Sequence, residues 1–343
     1  MGYQTGNYSN YSLQTNTSEE YSFIKDDQVA ELEWFWPLLW TIASITTVDN
    51  FIVIFLVISR KKLHTNTNWF ILSLSCADFI IGCVAAPMDY VVFKVLPENE
   101  LSDVVLFLEN MLFDISAVNL CLVAFDRYLA VVYPLKYVTF LTHRRVCGLI
   151  VLAWLVPALF FVGQILVLFT SKTYLSQEIS SSVLVVLFQI LPMIYLLVTF
   201  IHIAYIVRKH LRKINKENEQ IKFNRTIPRT ALRQTTRYRS ILALMAAVNG
   251  TFVLCCGISV YDFFCRKLSL VIPPQYIAMN MILLNFNSVV NPIMYGILKS
   301  DFQREMKRLV VCLECRRPVR NSQMVSIGLT NVNSLRNDGL KEG

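Results

Sequence analysis

The sequence is poor in charged residues. Asp, Glu, Lys and Arg make up 16% of its 343 residues, whereas a typical soluble domain contains about 25%. Hydrophobic residues make up 55%, and these values exclude an ordinary soluble globular domain. The apolar residues are concentrated in runs that are long enough to cross a bilayer as helices, at 34–59, 69–95, 101–133, 146–169, 181–207, 241–264 and 273–298. We therefore predict an all-α membrane protein with a seven-helix transmembrane bundle.

The sequence also lacks the patterns that carry enzymatic chemistry. It contains only four histidines, and it shows no nucleophile–base constellation and no spacing typical of metal ligands. We predict that the protein is not an enzyme and has no cofactor. Its net charge of +8 comes from the segments between the apolar runs and from the C-terminal tail. Such segments contact anionic lipid headgroups and fix membrane orientation, so nucleic-acid binding is not expected.

Basic residues follow the first, third and fifth apolar runs. They lie at 60–62, at Arg144 and Arg145, and throughout 208–239. Because loops rich in Lys and Arg remain on the cytoplasmic side, the N-terminus is predicted to be extracellular. The expected location is the plasma membrane, with several crossings.

This orientation divides the chain into four parts. They are an extracellular tail at 1–33, the transmembrane domain at 34–298, a short interfacial helix at 299–315 and a disordered cytoplasmic tail at 316–343. The first part contains three glycosylation sequons, which predict glycans at Asn7, Asn10 and Asn16.

The segment at 299–315 is amphipathic. Phe302, Met306 and Leu309 recur at helical spacing, which predicts a helix lying along the inner leaflet. Cys312 and Cys315 near its end are candidates for palmitoylation.

The third apolar run carries polar residues at both ends. Glu109 and Arg127 are eighteen residues apart, which is five helical turns and roughly 27 Å. They share one helix face with Ser116, whereas Asp114 is rotated from Glu109 by about 140°. Charged groups at membrane depth usually face the bundle interior. A helix with polar groups at both ends suggests a device that detects a signal on one side of a membrane and reports it on the other.

The string DRYLAVVYPLKY at 126–137 resembles the DRY motif and second cytoplasmic loop of rhodopsin-like (class A) G-protein-coupled receptors. Further strings are similar to signatures of that family, namely LSLSCAD at 72–78, Trp154 with Pro157, and NSVVNPIMY at 287–295. The resemblance extends over about residues 34–315.

The resemblance implies a heterotrimeric G protein as partner, together with arrestin and receptor kinases. It assigns activation and G-protein coupling to eight residues: Asp126, Arg127, Tyr128, Pro134, Leu135, Asn291, Pro292 and Tyr295. It also implies a pocket for water and an allosteric sodium ion, headed by Asp78 and completed by Asn50, Ser116, Asn287, Ser288 and Asn291.

Several family features are missing. Residues 255–258 read CCGI where the family has C-W-x-P, and Tyr238 replaces an acid that commonly pairs with the DRY arginine. Ser102 and the expected loop at 171–181 lack the cysteines of the usual extracellular disulfide. Asp49 replaces a glycine, and its partner cannot be named from the sequence. Loss of the intracellular ion pair suggests high activity without ligand.

The ligand is expected to be a small cationic amine that binds Glu109, because the amine-receptor branch has an acid at this position. Asp89, Phe113 and Tyr261 are expected to complete the site, through charge and aromatic faces, with Asp114 adding negative charge in the same region. Two interpretations of Glu109 stay open, a ligand counterion or a structural acid that is protonated or paired with Lys94. A peptide or a lipid is the alternative ligand. An opsin is disfavoured because Asn285 stands where the retinal lysine is needed, and a transporter because no inverted repeat is apparent.

Overall fold

The computed structural model describes residues 29, 31–96, 100–171, 173–222, 229–268, 270 and 272–315. Within the helices, the side chains of some residues, among them Tyr238, Leu309, Cys312 and Cys315, are outside the described part. The predicted sequons and the predicted cytoplasmic tail also lie outside the described residues.

The described residues form a bundle of long helices. These are α1 (Phe35–Ser59), α2 (Asn66–Lys94), α3 (Glu100–Val132), α4 (His143–Thr170), α5 (Tyr174–Val185, a π-helical turn at Val186–Ile190, then Leu191–Lys222), α6 (Arg229–Lys267), α7 (Pro274–Leu298) and α8 (Ser300–Cys315). A 3₁₀ turn at Lys61–Leu63 and a loop helix at Pro134–Phe140 connect them. Seven are long and apolar enough to cross a membrane, which confirms the predicted fold class.

Local sequence explains where helices begin. The Thr65 hydroxyl accepts a hydrogen bond from the Asn68 N–H and caps α2, as N-cap residues do. Pro134 begins the loop helix and Pro274 begins α7, a position where the missing N–H of proline has no cost.

One predicted loop is wrong. The sequence predicts a connection between the fourth and fifth spans at 171–181, but α5 begins at Tyr174. Its first turns are polar, and its serine hydroxyls bond back to backbone carbonyls, as Ser176 does to Thr173 and Ser182 to Glu178. Serines satisfied in this way are compatible with a helix, although they interrupt the apolar pattern.

Helix α3 is central to the bundle. It packs against α2, α4 and α5, while α7 packs against α1, α2 and α6. Buried residues make up 61% of the apolar window of α2 but only 17% of that of α4. Leu155, Leu159 and Leu166 on α4 are exposed, as is expected for a helix at the lipid-facing edge.

Candidate functional site

Asp126, at the Arg127 end of α3, is a junction between three elements. The Asp126 carboxylate accepts hydrogen bonds from Thr67 on α2 at 2.9 Å and from the Tyr137 hydroxyl of the loop helix at 2.8 Å. Arg127 donates to the same carboxylate from Nη2 at 2.6 Å and from Nε at 3.0 Å. Because Asp126 is fully buried, these hydrogen bonds take the place of water around its carboxylate.

Arg127 is held on one side of the bundle end. Besides Asp126, its Nη2 donates to the Thr67 hydroxyl, and no described side chain of α6 forms an ion pair with it. The Tyr128 hydroxyl oxygen lies 3.2 Å from Nδ1 of His202 on α5. Among the described side chains, Arg127 therefore forms its ion pair within α3 and not with α6.

The loop helix presents an apolar side chain. Pro134 is its first residue, and Leu135 directly after it is 92% exposed. The two predicted coupling residues of this segment are therefore both on its surface.

Two titratable groups outside the spans are perturbed at this end. Burial, and then the charge of Asp126, raises the pKa of Tyr137. Lys299 donates to the Asn68 side chain and lies 5.2 Å from the centre of the Phe302 ring. Burial, followed by the charge of Arg127, lowers the pKa of Lys299 to about 7.

Tyr295 links α7 to α8. Its ring is fully buried and lies 6.4 Å from the ring of Phe302, which is also fully buried. The Tyr295 hydroxyl has no hydrogen-bond partner among the residues that the structure describes. Asn291, one turn earlier, points instead to Asp78.

Asp78 is the centre of a polar cluster between α2, α3 and α7. Its Oδ1 accepts hydrogen bonds from Ser116 at 2.6 Å and Ser288 at 2.9 Å, and its Oδ2 accepts one from Asn291 at 2.8 Å. Asn50 joins the cluster indirectly, because its side chain donates to the backbone carbonyl of Ser288 at 3.2 Å.

The remaining acceptors of this cluster are compatible with a cation. The side-chain oxygens of Asn50, Asn287 and Asn291 are buried and lack a described hydrogen-bond partner. Sequence alone did not reveal the partner of Asp49. Its Oδ1 accepts from Asn50 at 3.2 Å, while its Oδ2 is buried without a described partner. An all-oxygen donor set that includes a carboxylate suits a hard cation such as sodium.

At the other end of α3, Glu109 faces Asp89 of α2. Both residues are buried, and their carboxyl groups are interacting neighbours. Apart from the Glu109 carboxyl group, no described side chain donates a hydrogen bond to the buried Asp89 oxygens. Lys94 forms no ion pair with Glu109 in the described ranges. This pair of acids therefore has no described basic partner.

The two predicted aromatic residues lie in different places. Phe113 is partly buried and packs against the cluster of Ile81, Ala85 and Leu112 at the α2–α3 contact. Tyr261 on α6 is 57% exposed, and its ring packs on Tyr276 of α7 at 5.6 Å. No described contact joins Tyr261 to Glu109.

A cavity lies on the other side of α3, and its polar lining was missed in the sequence. It has a volume of about 130 Å³ between α3, α4 and α5, and its polar side chains are those of Asn110, Asp114, Gln164, Ser181 and Gln189. None of the four predicted ligand residues lines it. The helical rotation of Asp114 was readable from the sequence, but the packing of α4 and α5 against that face was not.

The bundle, the DRY junction and the Asp78 cluster together define a heptahelical membrane receptor. The chain matches the family described as "7 transmembrane receptor (rhodopsin family)" over residues 49–295. This match covers more than half of the chain, and the protein belongs to that family. It is consequently a class A G-protein-coupled receptor and not an enzyme.

Its relatives are distant. The chain is 26% identical over 307 residues to "Trace amine-associated receptor 1" of Macaca mulatta, covering 80% of this chain and 87% of the relative. It is 25% identical over 300 residues to "Melanocortin receptor 5" of Mus musculus, with coverage of 82% and 85%. It is 24% identical over 324 residues to "Octopamine receptor beta-2R" of Chilo suppressalis, with coverage of 81% and 80%.

Proposed function

We propose that this receptor is activated by a small protonated amine whose ammonium group binds between Glu109 and Asp89. The observation that carries the proposal is the buried pair of carboxyl groups, which has no basic partner among the described side chains. A ligand ammonium supplies both the missing positive charge and three N–H donors. The names of two relatives, a trace amine-associated receptor and an octopamine receptor, agree with an amine ligand.

The energetic reason is the cost of a buried charge. An unpaired charged side chain at membrane depth costs on the order of 2.5–3.5 kcal/mol on insertion scales. A pair of carboxyl groups therefore favours either a shared proton or a bound cation. A protonated amine competes with the proton, and its binding is coupled to the geometry of α2 and α3.

Polar residues continue along α3 from this pair towards the DRY end. Ser116 lies two turns from Glu109 on the same face of α3 and bonds to Asp78, which bonds to Asn291 of α7. A ligand that changes the position of α3 shifts the population of bundle conformations. The form that we expect to be favoured has the cytoplasmic ends of α5 and α6 moved outward, which lets Arg127 and Leu135 contact the G protein.

The Asp78 cluster would hold a sodium ion in the resting form. Asp78, Ser116, Ser288 and the free oxygens of Asn287 and Asn291 would be its ligands. The ion would add positive charge beside the buried carboxylate.

The test is G-protein activation in cells that express wild type or Glu109→Gln at matched surface levels, across a panel of amines. We expect an amine response in wild type that is lost in Glu109→Gln, because glutamine keeps the size of the side chain but removes its charge. Glu100→Gln on the exposed first turn of α3 is the matched control and should respond like wild type.

Two results would contradict the amine proposal. One is a response of equal potency in Glu109→Gln, which would make the residue a structural acid. The other is no response to any amine in either protein while basal signalling persists, and the ligand would then have to be sought among peptides and lipids. A melanocortin receptor among the relatives is consistent with a different ligand class.

High basal activity is a second candidate property. It is supported by the absence of an ion pair between Arg127 and the described side chains of α6, whereas the side chain of Tyr238 lies outside the described part. G-protein activation without ligand that equals mock-transfected cells would exclude it.

We further propose an extracellular N-terminus in the plasma membrane, with the four-part division at residues 33, 298 and 315. Glycans at Asn7, Asn10 and Asn16 and palmitate at Cys312 and Cys315 belong to this proposal, as do arrestin and receptor kinases as partners. Glycosidase treatment should increase gel mobility in wild type but not in a variant with all three asparagines changed to glutamine. Unchanged mobility of wild type would count against glycosylation of this tail.

A further inference from the structure

The cavity beside Asp114 is separate from the Glu109 pair. Glu109 faces α2, whereas Asp114 is rotated from it by about 140° around α3 and lines the space against α4 and α5. Helix α3 therefore lies between the two acidic positions. The sequence-based expectation that Asp114 adds its charge to the Glu109 region is not supported by this geometry.

The Asp114 carboxylate has no described partner. No described side chain donates a hydrogen bond to it, and no described basic residue forms an ion pair with it. Asp114 is partly buried, and a carboxylate inside a membrane bundle normally pairs with another group or faces a functional pathway. The missing partner is therefore expected to be a group that enters the cavity.

Gln189 offers a further acceptor at the cavity, beside the amide of Asn110, which can both donate and accept. The Oε1 atom of Gln189 is buried and has no hydrogen-bond partner among the described residues. Gln164, also buried, uses its Oε1 to accept a hydrogen bond from Ser180 at 2.5 Å. An occupant that donates hydrogen bonds and carries positive charge matches the Asp114 carboxylate and Gln189 Oε1, whereas the charge of Asp114 disfavours an anion.

A local change in helix geometry places Gln189. The residue lies in the π-helical turn Val186–Ile190, where the Leu191 N–H bonds to the Val186 carbonyl five residues earlier. Such turns insert one extra residue into an α-helix and are frequent at functional sites. Pro192 lies two residues after the turn and cannot donate to the Phe188 carbonyl, which favours the altered hydrogen-bond pattern.

The size and walls of the cavity restrict the occupant. Its volume of about 130 Å³ is several times the ~30 Å³ share of one water, and a cavity of similar size can admit benzene. Apolar side chains, including Phe161, Leu184 and Val185, form part of the wall. A compact organic group with one polar end fits both features better than water alone.

We propose that this cavity is a second cation site, which binds a compact primary ammonium ion. The ammonium donates to the Asp114 carboxylate and to Gln189 Oε1, and its hydrocarbon part contacts Phe161 and Leu184. This site does not depend on amine binding at Glu109. Because it lies between α3 and the π-helical turn of α5, its occupant restrains the relative position of these two helices.

The test measures thermal unfolding of the purified full-length receptor in lipid nanodiscs. The probe is benzylammonium chloride, compared with benzyl alcohol and with sodium chloride at the same ionic strength. A ligand that binds only the folded state raises the midpoint as its concentration increases. We expect benzylammonium to raise the midpoint in wild type and in Glu109→Gln, and to raise it less in Asp114→Asn than in wild type. It should have no effect when Asp114→Asn is combined with Glu109→Gln. Benzyl alcohol should give a smaller shift because it has no charge for Asp114.

Each other outcome overturns the proposal. These outcomes are no benzylammonium shift in wild type, an undiminished shift in Asp114→Asn, an equal shift with benzyl alcohol, and a shift that disappears in Glu109→Gln. If Asp114→Asn does not fold, Leu184→Phe combined with Glu109→Gln fills the cavity while keeping Asp114, and this variant must lose the shift. Loss of amine signalling in Glu109→Gln is measured separately, so this site and the proposed activation site succeed or fail independently.

Discussion

Asp126 and Lys299 show how single residues control the DRY end of the bundle. Asp126 accepts hydrogen bonds from Thr67, Tyr137 and Arg127, so one carboxylate joins α2, α3 and the loop helix. Hydrogen bonds to a charged group contribute about 1.5–3 kcal/mol each. Removing one donor should therefore change how firmly Arg127 is held.

We predict that Tyr137→Phe raises signalling without ligand. The substitution removes one hydrogen bond to Asp126 and keeps the ring, which weakens the arrangement that binds Arg127. Basal G-protein activation at matched surface expression measures the effect. Thr139→Val on the same loop helix, whose hydroxyl bonds only locally to Lys136, is the control. Basal activity of Tyr137→Phe no higher than that of the control would show that the Asp126 contact does not restrain Arg127.

Lys299 gives a prediction for pH dependence. Its pKa is lowered to about 7 in the folded protein, so above pH 7 the unfolded chain binds more protons at this residue than the folded protein does. Stability then rises with pH between about 7 and the ordinary lysine pKa of about 10.4. Thermal midpoints of purified wild type should increase over this interval more steeply than those of Lys299→Met. Identical slopes in the two proteins would contradict the perturbed lysine.

At the level of elements, α1 and α2 approach each other at Gly82. A Cβ atom at this position would lie 2.8 Å from both the backbone nitrogen and the hydroxyl oxygen of Thr47 and 3.1 Å from the Ala43 carbonyl oxygen. Because two of these atoms are backbone, the helices must separate to accept any side chain.

We predict that Gly82→Ala destabilises the receptor by about 1–3 kcal/mol, the usual cost of overpacking. Gly163→Ala on α4 is the matched control, because a Cβ atom added there would meet no neighbouring atom within 4 Å, and it should be neutral or slightly stabilising. Thermal unfolding of the two purified variants distinguishes them. Equal midpoints would mean that α1 and α2 are not tightly packed at Gly82.

The elements also show what the sequence could and could not predict. Apolar run length predicted all seven spans, because a bilayer requires about 20 apolar residues per helix. Run length did not predict the start of α5, because the serines there interrupt the apolar pattern while their hydroxyls donate to backbone carbonyls. The polar residues of the Asp78 cluster followed from the resemblance to the family, whereas the α4–α5 wall around Asp114 depends on packing that no local pattern records.

At the scale of the whole molecule, the bundle has polar groups at three levels of α3. The Glu109–Asp89 pair, the Asp78 cluster and the Asp126 junction follow one another along the helix. At each level a side chain of α3 interacts with a side chain of α2, and at the middle level Asp78 also accepts hydrogen bonds from α7. A ligand that alters the first level is therefore well placed to change the last through movement of whole helices.

The most direct test of this account is nucleotide exchange on purified heterotrimeric G proteins of each class, with the purified receptor in nanodiscs. The comparison is wild type against Arg127→Ala, with Arg144→Ala at the exposed start of α4 as the control. We predict that wild type and Arg144→Ala accelerate exchange on at least one heterotrimer. Arg127→Ala should not accelerate it while keeping the same thermal midpoint. Acceleration by Arg127→Ala equal to that of wild type would contradict the account.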